Sequence, residues 1–178
     1  MNVRQIITKS TLAAVLIVAG NWTVDTTNAK VLFSVKGPFG TVNGSFTGLE
    51  ASIHFDPNDL AGSMIQASID AKTVSSGVGM RNRHLRSEEQ YLNADKFPRI
   101  TFKSRKIEKS ASGYKAIGDL TLKGISRPVE IAFAFTPNGN TGVFKGEFSI
   151  KRQDFNLGKP GGSIGEIVTL HLEVPAKK

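Results

Sequence analysis

From Trp22 onward the apolar residues of this chain recur at every second position, a period that places them on one face of a pleated strand and excludes a helical stripe over most of the length. Val31, Phe33 and Val35 alternate with Leu32, Ser34 and Lys36, and after the turn Gly37-Pro38-Phe39-Gly40 come Val42, Gly44 and Phe46. Leu49, Ala51, Ile53 and Phe55 follow, then Ile65, Ala67 and Ile69 beyond the turn at Asp56-Pro57-Asn58-Asp59. The later half repeats the pattern in Tyr114 to Leu122, Val129 to Phe135, Phe144 to Ile150 and Val168 to Val174, with a further strand around Phe102. Only Val78 to Lys96 departs from it, and there Ser87 is expected to cap a short helix led by Glu88 and Glu89. Strands with one apolar face each must bury those faces together, and closing the sheet also removes its edges. The pattern therefore predicts an all-β fold, an antiparallel up-and-down β-barrel of about eight strands with a short helical insert, with a sandwich as the alternative.

With 178 residues the chain is one domain with a sizeable core. It contains no cysteine, which removes disulfide scaffolds, thiolate-ligated metals and thiol catalysis together. Arg4 and Lys9 without an acid, the apolar stretch Thr11 to Gly20 and the small residues that end it have the layout of a secretory signal peptide, residues 1–20, cut before Asn21. The competing reading, a membrane anchor, needs about twenty apolar residues, and this stretch is too short. The domain is then 21–178, exported and soluble. The formal net charge is +8, and much of the excess lies in Arg81, Arg83, Arg86, Lys96, Arg99, Lys103, Arg105 and Lys106. An exported chain meets anionic lipid more readily than nucleic acid, so this segment is read as contacting an anionic membrane surface or as serving simple solubility, and nucleic acid is not expected as a partner.

A barrel of about eight strands has room for packed side chains or for one small guest. The inward positions mix phenylalanine with glycine: Gly44, Gly118 and Gly146 share faces with Phe46, Leu120 and Phe148. Such glycines either accommodate a neighbouring ring or leave open volume, and the sequence leaves both readings standing. An open interior would be greasy and would take a guest apolar along most of its length, such as a lipid tail. No nucleophile elbow, phosphate loop or zinc helix occurs, and His54, His84 and His171 stand apart as surface residues, so no enzyme, catalytic residue, metal site or cofactor is expected. The glycine-rich stretches Gly77-Val78-Gly79 and Gly158 to Gly165 are expected to be mobile loops.

Several ordered pieces of the sequence are similar to one family. Arg81-Asn82-Arg83-His84-Leu85-Arg86-Ser87, Tyr91-Leu92 and Lys96-Phe97-Pro98-Arg99-Ile100-Thr101-Phe102-Lys103-Ser104 resemble the central signature of the YceI-like family of bacterial polyisoprenoid-binding proteins. Gly118 to Val129, Lys151-Arg152-Gln153-Asp154-Phe155 and Ile164-Gly165-Glu166-Ile167-Val168 follow in the same order, and Trp22-Thr23-Val24-Asp25 and Phe33-Ser34-Val35-Lys36 are similar too. The chain departs from the family pattern at Gly37-Pro38-Phe39-Gly40, where a histidine is common. The resemblance implies a lipocalin-like barrel in the periplasm, holding a long isoprenoid, polyprenyl or quinone-like, or a similar amphiphile as its ligand. Competing readings are an enzyme acting on such a lipid and a stress-related interaction protein with a packed barrel; a homodimer is compatible with the sequence. Alternation, not the family, selects the lining: Phe33, Val42, Phe46, Ile53, Ile65, Ile69, Phe102, Leu120, Leu122, Ile131, Phe133, Phe144, Phe148 and Leu170, with Leu85 and Tyr91 near a mouth.

Overall fold

The fold, taken from a computed structural model, describes residues 20–178; the expected leader lies outside the described residues except for Gly20. Ten antiparallel strands follow in chain order: β1 (Asn21–Val24), β2 (Lys30–Gly37), β3 (Gly40–Phe46), β4 (Glu50–His54), β5 (Met64–Asp70), β6 (Arg99–Ser110), β7 (Gly113–Leu122), β8 (Ile125–Asn138), β9 (Thr141–Lys151) and β10 (Ile167–Lys177). β1 pairs with β4 on one side and with β10 on the other, so the ring β1-β4-β5-β6-β7-β8-β9-β10 closes on itself. Closure excludes the sandwich and leaves this eight-stranded ring without a free edge.

β1 and β2 act as two halves of one broken strand. β1 pairs with β10 at Ala176 and Lys177, whereas β2 pairs with it from Val168 to Glu173. The β2–β3 hairpin therefore extends the wall at one end of the barrel. There β3 has no neighbouring strand on its far side, and the segment after β5 fills the gap through a bridge between Ser45 and Ser75.

Local sequence explains the joints. Lys123 and Gly124 both have positive φ, 54° and 73°, as a tight β7–β8 hairpin requires, and glycine supplies one of them without strain. Pro128 sits in the first half of β8, which pairs with β7 only; its missing N–H costs nothing there. In β6 the register shifts between Ser104 and Lys106, so the inward positions run Phe102, Ser104 and then Ile107.

The helix does not start where the sequence placed it. α1 spans Gly79–Ser87, so Ser87 ends it, with its hydroxyl donating to the Arg83 carbonyl at 2.9 Å. Tertiary contacts fix its position. Arg81 donates from Nε to Ser76 Oγ and from Nη2 to the Ser76 carbonyl, both at 2.8 Å, and Asn82 Oδ1 accepts from the Ser76 backbone N–H at 2.7 Å. The last turn carries His84 and Arg86, which suit the negative end of the helix dipole.

Candidate functional site

The two ends of the barrel differ. At one end Trp22, Phe55, Tyr114, Phe133, Phe135 and Phe144 interlock, with Phe55 at the centre: its ring lies edge-on to Tyr114 at 4.9 Å, Phe135 at 5.3 Å, Phe133 at 5.5 Å and Phe144 at 5.6 Å. The Trp22 indole N–H donates to the Phe55 carbonyl at 2.9 Å, which satisfies the indole within the plug. This end is sealed.

Above the plug lies a cavity of about 490 Å³, within the size range of small-molecule sites. Its wall is aliphatic and phenylalanine through most of its depth, and its polar groups are few: Ser68, Thr101, Gln90, Tyr91 and Ser163, with the cations Arg152 and Lys159 and no carboxylate. The barrel interior is therefore not filled by its own side chains.

Of the residues selected from alternation, Phe33, Phe46, Ile53, Ile65, Ile69, Phe102, Leu120, Leu122, Ile131, Phe133, Phe144, Phe148 and Leu170 line the cavity, and Leu85 and Tyr91 lie on it from the insert. Val42 does not. It pairs with Val35 close to the hairpin turn, and the lining of β3 is represented by Phe46. Val31, Val35, Ala67, Ala116, Ile150, Val168, Leu172 and Val174 also line it; the same alternation marks all of them.

The inward glycines divide. A β carbon at Gly44 would overlap the Phe33 ring, and one at Gly118 would overlap the Lys103 carbonyl and come within 2.7 Å of Ser104 Cα where β6 shifts register. Gly146 is different: its nearest neighbours would be 3.3 to 3.6 Å away, and it lies on the cavity wall. All three glycines make room for neighbours, Gly146 with the least crowding.

The open end is ordered by a residue that alternation could not find. Arg152 is 6% exposed, and among the described residues no acid pairs with it. Its guanidinium donates to the carbonyls of Gly165 (2.9 Å), Leu157 (2.6 Å), Ile164 (2.9 Å) and Lys159 (3.3 Å). Those carbonyls belong to the glycine-rich stretch expected to be a mobile loop. The stretch is instead wrapped around one planar cation, whose fork of donors matches several carbonyls at once. Its only sequence signal is membership of the Lys151-Arg152-Gln153-Asp154-Phe155 piece. The Gly77-Val78-Gly79 stretch likewise forms the entry to α1, with Gly77 at φ 74°. A hydrogen bond from the Gly158 N–H to the Gln90 carbonyl, at 2.5 Å, joins the two mouth segments.

The basic stretch does not form one patch. Arg99 pairs with Glu50 at 2.5 Å, Arg105 with Asp119 at 3.6 Å and Lys106 with Glu108 at 2.8 Å, all on the barrel wall, while Arg81, Arg83 and Arg86 belong to α1 at the open end. His54 contacts Asn21 at 2.8 Å, His84 lies 3.8 Å from Glu88, and His171 lies 3.0 Å from Glu147. Among the described residues no three His, Asp or Glu side chains gather as a metal site.

An antiparallel barrel sealed at one end, with an apolar lumen reached from the other, defines a class of closed barrels with an open interior. The chain belongs to the YceI-like family, whose domain model matches residues 22–176. A UPF0312 protein of Yersinia enterocolitica is 36% identical over 137 residues, covering 74% of this chain and 71% of that protein. Among solved structures, BcnA of Burkholderia cenocepacia superposes with a TM-score of 0.81 at 28% identity, over 87% of this chain and 100% of that one. A polyisoprenoid binding domain from Saccharophagus degradans, implicated in plant cell wall breakdown, shares the fold with a TM-score of 0.68 at 16% identity, over 89% of this chain and 98% of that one.

Proposed function

We propose that this protein binds a long isoprenoid or a similar amphiphile, polyprenyl or quinone-like, in its lumen and carries it through the periplasm after export by the leader at residues 1–20. The observation that carries the proposal is the phenylalanine-rich cavity of about 490 Å³, whose polar lining residues Gln90, Tyr91, Arg152, Lys159 and Ser163 belong to the mouth segments. Each methylene buried there gains about 0.8 kcal/mol of transfer free energy, so a chain of several prenyl units is held without a specific hydrogen bond. The polar end accommodates a head group. Because Arg152 and Lys159 face it without a carboxylate, a neutral or anionic head group fits better than a cationic one. The name of the Saccharophagus degradans domain supports the isoprenoid as the guest class.

The test is calorimetric titration of delipidated protein with prenols of increasing length. One-to-one binding that strengthens with length and has a negative heat-capacity change supports the reading. Absence of binding at every length, or turnover of the lipid by the purified protein, contradicts it.

A further inference from the structure

We infer that the open end of the barrel is a bilayer-docking face and that Phe39 is the side chain it inserts. This rests on reading the lumen as a lipid site, because the face matters only if the guest comes from a membrane. Phe39 is 102% exposed, at the tip of the β2–β3 hairpin beyond its last pair, Gly37 with Gly40. Gly40 has φ 121°, so glycine permits the turn that leaves the ring unsupported. The hairpin is seated beside the mouth: the Gly165 N–H donates to the Lys36 carbonyl at 2.7 Å, and Gly165 adjoins Ser163 and Ile164 on the cavity rim.

Other exposed apolar side chains converge on this end. Thr73 lies beside Thr47 and Ser75 beside Ser45, so the chain after β5 runs antiparallel to β3, in the direction of the hairpin, before it enters α1 with Val78 and Met80 exposed, Met80 at 70%. Ile167, also exposed, begins β10 at the same end, next to Val168, whose partner is Val35. Lys36, Arg83 and Lys159 are exposed around the mouth, and among the described residues none of them forms an ion pair. One protruding ring and exposed aliphatic side chains among unpaired cations match an anionic bilayer, whose interior accepts an isolated side chain and whose surface attracts the charge. A protein partner would need a contiguous area of roughly 800 Å² on this side, whereas Phe39, Val78, Met80 and Ile167 supply only four apolar side chains set among cations. Docking this way sets the mouth against the membrane, so the guest passes between bilayer and lumen with little exposure to water.

The experiment uses vesicles of equimolar phosphatidylglycerol and phosphatidylcholine. In a Phe39→Trp variant, emission beyond that of wild type should shift to the blue and be quenched by brominated acyl chains. Phe39→Asp should lower vesicle binding by about tenfold, while Leu32→Asp, exposed on the barrel wall, should not. Phe39→Asp should still take up a detergent-presented prenol, since the residue lies outside the lumen; a failure of that uptake in wild type as well would count against the lipid reading instead. The inference is overturned if wild type ignores the vesicles, if the Phe39→Trp emission is unmoved, or if Phe39→Asp changes the oligomeric state rather than vesicle binding.

Discussion

Replacing Ala116 by phenylalanine raises the floor of the lumen. Ala116 is 1% exposed, lines the cavity, and stands one inward position above Tyr114, a member of the aromatic plug. Its partners across the sheet, Ile107 and Ile131, hold the backbone, so an added ring extends into the space above the plug. The ring takes the place of about one prenyl unit, worth roughly 4 kcal/mol at about 0.8 kcal/mol per methylene-sized group. The new ring restores part of that by contact with the shortened chain, so the net loss for a lumen-filling guest is on the order of 1.4 to 3 kcal/mol, or roughly tenfold to a hundredfold in Kd. A guest too short to reach the floor should bind unchanged. Ala132→Phe, on the exposed side of β8, is the control. Calorimetric titration with a short and a long prenol reads the difference, and thermal unfolding monitors the fold. Equal losses for both lengths, or no loss for the long one in a folded variant, would refute the assignment of this residue to the lumen floor.

Arg152→Met strands the carbonyls of Leu157, Lys159, Ile164 and Gly165 and should destabilise the protein by about 2 to 4 kcal/mol in denaturant unfolding, with faster hydrogen exchange across residues 157–165. Arg152→Lys should recover only part, because an ammonium lacks the planar fork. Gly118→Ala, which drives a β carbon into the β6 backbone, should cost about 1 to 3 kcal/mol, whereas Gly146→Ala, which faces the cavity, should cost less than about 1 kcal/mol by the same measurement. The Glu173 carboxyl is held below its ordinary range, first by the hydrogen bond from Lys30 and then by the Lys145 charge. A depressed folded-state pKa stabilises above the unfolded value and is lost as pH falls through the folded one. The Tm difference between wild type and Glu173→Gln should accordingly be present at neutral pH and vanish in acid; a difference that grows in acid would reverse the sign.

Much of the site was legible because a strand's period of two is strict. Once Phe33 and Leu170 are inward, Val31, Val35, Val168 and Leu172 must be, and the bulge in β6 changes parity only after Ser104. Alternation gives the face but not the height along the barrel, which is why Val42 was selected along with Phe46 although it lies near the hairpin turn. Nor does it tell a glycine that admits a ring, as Gly44 admits Phe33, from one with milder crowding, as at Gly146, since that depends on a residue in another strand. The helix and the mouth loop were less legible still. Ser87 followed by Glu88 has the composition of a helix start, yet Arg81 and Asn82 bonding to Ser76 place the helix before it. The stretch Gly158 to Gly165 has the composition of a mobile loop, yet its order comes from a guanidinium earlier in the chain.

The most direct measurement is native mass spectrometry of the protein purified without detergent, followed by analysis of its organic extract. One prenyl-type lipid per chain, lost in parallel with binding when the lumen is shortened at Ala116, is the predicted result. A chain that carries no lipid and takes none up when one is offered, or that retains only a polar guest, would contradict the account.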